Sequence, residues 1–281
     1  MATLTYLQAI ILGLVQGLAE FLPVSSSGHL ALLQYFFGIK GDSVLMFTVM
    51  LHMGTLISVF VIYWRDIIKL LWELCRTVKD ICTGKGPRIN ITETRRLGFL
   101  IIAATIPTAV MGLLFNNTFE KFYSSLTVIG IGLLITGTIL WIADHMRSNT
   151  KLIPQTKFRY AFFIGIMQGI AITPGISRSG STLFGGLVSG LDRAYAVKLA
   201  FLISIPSILG SFIMEMPDAA KAGVQPGTMG PMIVGVVVAA VSGFVAIKAM
   251  IKIVSGKKLS IFSFYTWAVG AFVVIYALFI A

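Results

Sequence analysis

Charge is scarce in this chain. Of 281 residues only 12% are Asp, Glu, Lys or Arg, whereas 57% are hydrophobic. That balance excludes an ordinary soluble domain, whose surface needs more charge. Cysteine is scarcer still. Cys75 and Cys82 stand in a polar stretch with no histidine beside them. Neither a disulfide framework nor a zinc site fits two such thiols. No Lys or Arg precedes the first apolar run. The segment lacks the charged start of a signal peptide and is expected to be retained. Acids are fewer than bases, 11 against 22, for a net charge of +11. A basic excess can mean nucleic acid. Here the bases fall between apolar segments and follow membrane topology, so no nucleic-acid partner is expected.

What is present is long and apolar. Runs of roughly 18 or more apolar residues recur along the chain, the length of a spanning helix. They predict an all-α polytopic membrane protein. Full spans are expected at 44–64, 97–115, 126–143, 195–213, 232–254 and 261–281. Pro107 and Pro206 should kink two of them. Polar connections are expected at 65–96, around Asn116, Asn117 and Lys121, at 144–159, and in a Gly/Pro-rich loop at 215–231.

Two apolar segments are broken. Residues 4–38 are interrupted at Pro23 and by Ser25-Ser26-Ser27. Residues 160–191 are interrupted at Pro174-Gly175. Each half is about 15 residues, too short at about 1.5 Å per residue to cross a core roughly 30 Å thick. Helical hairpins that dip in and return are predicted.

The two breaks are related. A shift of 152 positions carries Gly13, Gln16, Gly17, Ala19, Ser25, Ser27 and Gly28 onto Gly165, Gln168, Gly169, Ala171, Ser177, Ser179 and Gly180 without a gap. The basic loops give an independent signal. Arg65, Lys69, Arg76, Lys79, Lys85, Arg88, Arg95 and Arg96 crowd one connection. Arg147, Lys151, Lys157 and Arg159 crowd a second, and Lys248, Lys252, Lys257 and Lys258 a third. The remaining loops hold the single lysines Lys40, Lys121 and Lys221. The positive-inside rule puts the first group in the cytoplasm. Counting crossings then turns the halves, 1–147 and 148–281, opposite ways. The prediction is an inverted-topology repeat: six transmembrane helices plus two re-entrant helical hairpins meeting near the midplane.

The chemistry should lie in those hairpins. Gln16 and Glu20 share a helical face. A carboxylate at membrane depth is costly unless it is paired or used. Ser25, Ser26 and Ser27 open the next half-helix, where hydroxyls and helix-start N–H groups favour an anion. Ser26 and His29, three apart, have the spacing of a nucleophile and its base and are expected to hydrogen-bond. In the second copy, Ser177-Arg178-Ser179 opens a helix on which Thr182 shares a face with Arg178. A guanidinium among hydroxyls suits a phosphate. Gln168 faces no local acid and is expected to serve packing. His52 is expected to bond to a neighbouring helix, and Gly185, Gly186 and Gly190 to allow close contact.

The stretch Gln16-Gly-Leu-Ala-Glu-Phe-Leu-Pro-Val-Ser-Ser-Ser-Gly-His29 resembles the first signature of the undecaprenyl pyrophosphate phosphatase, or bacitracin-resistance, family. Pro174-Gly-Ile-Ser-Arg-Ser-Gly-Ser-Thr182 resembles its second signature throughout. The resemblance extends over nearly the whole chain. It implies hydrolysis of a C55 polyprenyl diphosphate to the monophosphate, recycling a carrier lipid for cell-wall synthesis. It also implies a bacterial plasma-membrane location, a site open to the outer face and a divalent cation, Mg²⁺ or Ca²⁺. Gln16 stands where some members carry a second acid. The cation would therefore rest on Glu20, Gln16 and the diphosphate itself. Glu20, Ser26, His29 and Arg178 are the expected catalytic residues. Gln16, Ser25, Ser27, Ser177, Ser179 and Thr182 are expected to bind substrate. The nucleophile, Ser26 or His29, stays open, and a homodimer is compatible with the sequence. A lipid flippase fits the same architecture. A phosphatidate-type phosphatase does not, because no histidine follows position 145.

Overall fold

The computed structural model describes residues 4–39, 42–146, 150–222, 227–256 and 258–280. Eleven α-helices make up nearly all of it. The first break comes out as two short helices, α1 (Tyr6–Phe21) and α2 (Ser26–Phe36). Thr5 caps α1 in a reciprocal box with Gln8. The helix stops because Pro23 disfavours helical geometry at the residue before it; Leu22 is extended, with ψ 142°. At 16 and 11 residues the two helices reach about 24 and 17 Å, each short of a bilayer core. The second break gives α7 (Phe158–Ile170) and α8 (Arg178–Val188), again too short to cross.

Six helices are long and apolar enough to span. They are α3 (Asp42–Cys82), α4 (Glu93–Leu114), α6 (Leu126–His145), α9 (Arg193–Ala222), α10 (Met229–Ser255) and α11 (Ser260–Phe279). Together they indicate a polytopic membrane protein. Outward-facing Val237, Val241 and Val245 on α10, and Phe272, Ile275 and Phe279 on α11, are exposed. Apolar faces of this kind suit lipid contact.

Three connections differ from expectation. The polar stretch 65–96 is mostly helix, because α3 continues to Cys82. Its backbone leaves helical geometry at Tyr63 (φ −104°, ψ 18°), next to the end expected for the span at residue 64. With 41 residues it is about 60 Å long, so part of it stands outside any bilayer. Buried charge anchors that part. Arg95 of α4 donates to Glu73 at 2.9 Å and to Asp80 at 2.7 Å. The turn after α4 is a short helix, α5 (Asn116–Tyr123). The loop expected from residue 215 begins later, because α9 runs on to Ala222 through Pro217. Lys40, Arg147, Lys257 and the boundary between residues 147 and 148 lie outside the described residues.

Helix packing is cross-wired. α1 packs chiefly on α10, and its counterpart α7 chiefly on α4. α6 and α11 pack on each other. Small residues allow the close approach. A methyl added at Gly17 would meet the Gly243 backbone nitrogen at 2.8 Å, and one at Gly165 the Pro107 ring at 2.6 Å. The core beneath the second break gathers Phe21, Val59, Leu183, Leu187, Leu199 and Phe201.

Candidate active site

The two breaks meet through one ion pair. Arg178, at the start of α8, is bonded to Glu20 Oε1 near the end of α1. The Glu20 side chain is 2% exposed, that of Arg178 22%. Glu20 is thus a buried carboxylate whose charge is met by a cation 158 positions away in sequence. The second oxygen, Oε2, accepts from Gln16 Nε2 at 3.0 Å and from Ser26 Oγ at 2.6 Å. Hydrogen bonds to an ionised acceptor are among the strong ones, at about 1.5–3 kcal/mol each. A narrow cleft opens here, lined by Glu20, Phe21, Arg178, Ser179, Thr182 and Phe201.

The expected bond between Ser26 and His29 is absent. Ser26 turns to Glu20 instead, since a carboxylate is a stronger acceptor than an imidazole nitrogen. His29 is engaged at both ends. Its Nδ1 lies 2.8 Å from the Ser25 carbonyl and its Nε2 2.8 Å from the Tyr265 hydroxyl of α11. The two rings also stack, with centroids 5.5 Å apart. Tyr265 carried no signal in the sequence; it lies 236 positions from His29 in an unbroken span.

The other hydroxyls divide by task. Ser25 Oγ accepts from Gly28 N and caps α2, and Ser177 Oγ accepts from Gly180 N and caps α8. These are the usual N-cap bonds. Ser27 Oγ lies 3.3 Å from Ser25 Oγ, and Ser179 Oγ 3.2 Å from Ser177 Oγ. Thr182 Oγ1 donates back to the Arg178 carbonyl at 2.8 Å. The caps differ in backbone. Ser25 itself has φ 72°, whereas in the second copy the positive angle falls on Gly175, φ 90°. A non-glycine residue in that region costs on the order of 1–3 kcal/mol, and it stands directly before Ser26.

Gln168 is buried and donates to Thr108 and Ser207, away from Glu20, in keeping with a packing role. Gly186 approaches Ala196, as close packing requires. His52 departs from its expected role. Its Nδ1 faces the Thr48 carbonyl of its own helix at 2.9 Å, and its Nε2 lies 3.9 Å from Glu20 Oε2. Nothing in the linear sequence joins residues 20 and 52.

The donors suit a cation in part. Among the described residues no three of His, Cys, Asp and Glu gather. Gln16 Oε1, however, is buried with no hydrogen-bond partner beside Glu20. One carboxylate and one amide oxygen match Mg²⁺, which uses few protein ligands and takes others from substrate phosphates and water.

Residues 9–272 match the family described as bacitracin resistance protein BacA. The chain belongs to the BacA family. It is 46% identical over 275 residues to an undecaprenyl-diphosphatase of Alkaliphilus metalliredigens, covering 98% of this chain and 100% of that one. It is 42% identical to one from Carboxydothermus hydrogenoformans, covering 95% and 96%. It is 36% identical to one from Methanosphaera stadtmanae, covering 97% and 98%. The site assembled by α1, α2 and α8 lies wholly inside the BacA match.

Proposed function

We propose that this membrane protein hydrolyses undecaprenyl (C55) diphosphate to undecaprenyl phosphate and phosphate. Such an activity recycles a carrier lipid for cell-wall synthesis and lowers sensitivity to bacitracin. One observation carries the reading: Glu20 accepts from the Ser26 hydroxyl on one oxygen and pairs with Arg178 on the other. A base, a hydroxyl nucleophile and a phosphate clamp therefore meet at one carboxylate.

In this reading Glu20 takes the Ser26 proton as Oγ bonds to the terminal phosphorus. The bond from phosphorus to the bridging oxygen breaks, and undecaprenyl phosphate leaves with that oxygen and its electron pair. Glu20 gives that proton to the departing phosphate oxygen, takes one from the water whose oxygen bonds to phosphorus, and returns it to Ser26 Oγ as the phosphorus–Oγ bond breaks and phosphate leaves. Arg178 leaves Glu20 to grip the diphosphate, with Ser27 and Ser179 beside it. Ser25, Ser177 and Thr182 contribute by shaping the helix starts, since their hydroxyls are already used there. Neutralising charge and fixing geometry carry most of the rate in phosphoryl transfer. His29, tied to Tyr265, positions α2 and is not the nucleophile. A divalent cation, held by Glu20 and Gln16, would supply further neutralisation of the diphosphate.

We further infer the inverted repeat with two re-entrant hairpins. The crosswise packing of α1 on α10 and α7 on α4 supports it, as does the shared capping of α2 and α8. The family resemblance implies an outward-facing site in a bacterial plasma membrane, and the loop charges support the orientation of the spans. Tyr123 of α5, in a loop expected outside, lies beside Ser27. Single cysteines at Lys85 and Asn117, with Cys75 and Cys82 replaced by serine, test this in intact cells. An impermeant thiol reagent should label Asn117→Cys alone; labelling of Lys85→Cys overturns the orientation.

The chemistry is tested with substrate labelled in its terminal phosphate. Purified enzyme should release labelled phosphate, and rapid acid quenching should trap label on the protein. That label should be acid-stable, as a phosphoserine is, and missing from Ser26→Ala. Acid-labile label that persists in Ser26→Ala would move the attack to His29. No release of phosphate would remove the proposed activity.

A further inference from the structure

We propose that His52 is a third protein ligand to the divalent cation, joining Glu20 and Gln16. The proposal deepens the reading above and rests on it for the presence of a cation. Four side chains converge on Glu20 Oε2 or its surroundings: Ser26, Gln16, His52 and, through the other oxygen, Arg178.

The state of the His52 ring follows from its partner. Nδ1 faces a backbone carbonyl, which can only accept. Nδ1 therefore carries the proton, and the neutral ring keeps its lone pair on Nε2. An imidazole whose other nitrogen donates to a carbonyl is the arrangement that orients metal-bound histidines. Nε2 points toward Glu20 Oε2 at 3.9 Å. That is too long for a hydrogen bond, and no other group among the described residues bonds Nε2. Thr55 Oγ1 donates to the His52 carbonyl at 2.7 Å, a further tie on the same turn of helix.

Gln16 gives the second, independent observation. The residue is 0% exposed and its Oε1 has no partner. A buried acceptor left unmet costs about 1–3 kcal/mol. In the present orientation the amide gives Nε2 to Glu20. A half-turn about its last bond exchanges the two atoms and brings Oε1 to the carboxylate side. That exchange is unfavourable next to a bare carboxylate and favourable next to a cation.

A nitrogen ligand tells Mn²⁺ from purely oxygen-bound ions by spectroscopy, so Mn²⁺ is the probe. The whole protein in detergent should bind Mn²⁺ with a ¹⁴N imidazole coupling in pulsed electron paramagnetic resonance. Labelling histidine with ¹⁵N should convert that coupling without any mutation. His52→Gln should abolish it and weaken Mn²⁺ binding at least the roughly 10-fold seen when even an outer-shell partner is lost. His29→Gln should keep it. Mn²⁺ bound without a histidine coupling, or a coupling that survives in His52→Gln, overturns the proposal and leaves His52 as an ion-pair partner of Glu20. Phosphate release is measured on the same samples. Release without the coupling sinks the ligand assignment alone. A His52-dependent coupling with no release sinks the hydrolase reading and keeps the cation site.

Discussion

The two broken helices share a sequence pattern and differ in the contacts they make. Both use a serine to cap the inner helix, both bury a glutamine, and both approach a long helix through a glycine pair. Among the positions where they diverge, three change the chemistry. Glu20 corresponds to Ile172, Ser26 to Arg178, and His29 to Ser181. The first copy thereby holds the carboxylate and the hydroxyl bonded to it, and the second holds the guanidinium. Neither copy is a site alone. The glutamines make the same point in miniature. Gln16 donates to the Glu20 carboxylate, and Gln168, at the matching place, donates to Thr108 and Ser207. Similar helix breaks thus carry different side chains, and the ion pair joins one from each.

The comparison breaks most sharply at Glu20. Glu20→Gln keeps the shape and removes the base, so phosphate release should fall by roughly 100- to 10,000-fold, the usual range for general-base loss. Adding Ile172→Glu to that variant should not rescue it, because the residue that would answer Ser26 in the second copy is Arg178. Recovered turnover in the double variant would mean that the two halves are interchangeable.

Arg178→Lys comes next. It keeps the charge and loses the planar fork. Loss of one charge-assisted bond, about 1.5–3 kcal/mol, corresponds to roughly 10- to 150-fold in kcat/KM. The loss should be equal for long- and short-chain diphosphates, since the contact is with the head group. Unchanged kcat/KM on both would leave Arg178 as a structural partner of Glu20 only.

Gln16→Glu sharpens the contrast between the glutamines. A second acid beside Glu20 should lower the Mg²⁺ concentration needed for half-maximal phosphate release. A raised requirement would argue that residue 16 faces away from the cation. The matching Gln168→Met should do least. It removes two buried hydrogen bonds far from Glu20 and should lower stability by about 1–3 kcal/mol, read as a shift in thermal midpoint, with kcat kept. A metal requirement altered by Gln168→Met would contradict its separation from the site.

Much of this protein was legible before any coordinates. Apolar length marked the six long helices, because a spanning helix must be apolar over a fixed distance. Pro23 and Pro174-Gly175 marked the breaks, because proline and glycine act on the backbone locally. Glu20 and Arg178 stood out because charge at that depth demands a partner. Local signals failed where tertiary contact decides. The stretch after Trp64 looks like a loop by its charge, yet Arg95 neutralises Glu73 and Asp80 and lets α3 continue. Ser26 and His29 have a suitable spacing, but Ser26 found a stronger acceptor in Glu20 and His29 found Tyr265. His52 gave no local hint of lying beside Glu20, since helix packing sets that distance. Sequence alone therefore determined the helices, the breaks and the identity of the deep charges, all properties of short stretches in a solvent of known thickness. Which hydroxyl meets which base was decided only by the tertiary structure, because hydrogen bonds are short, directional and settled among competitors that the linear chain keeps far apart.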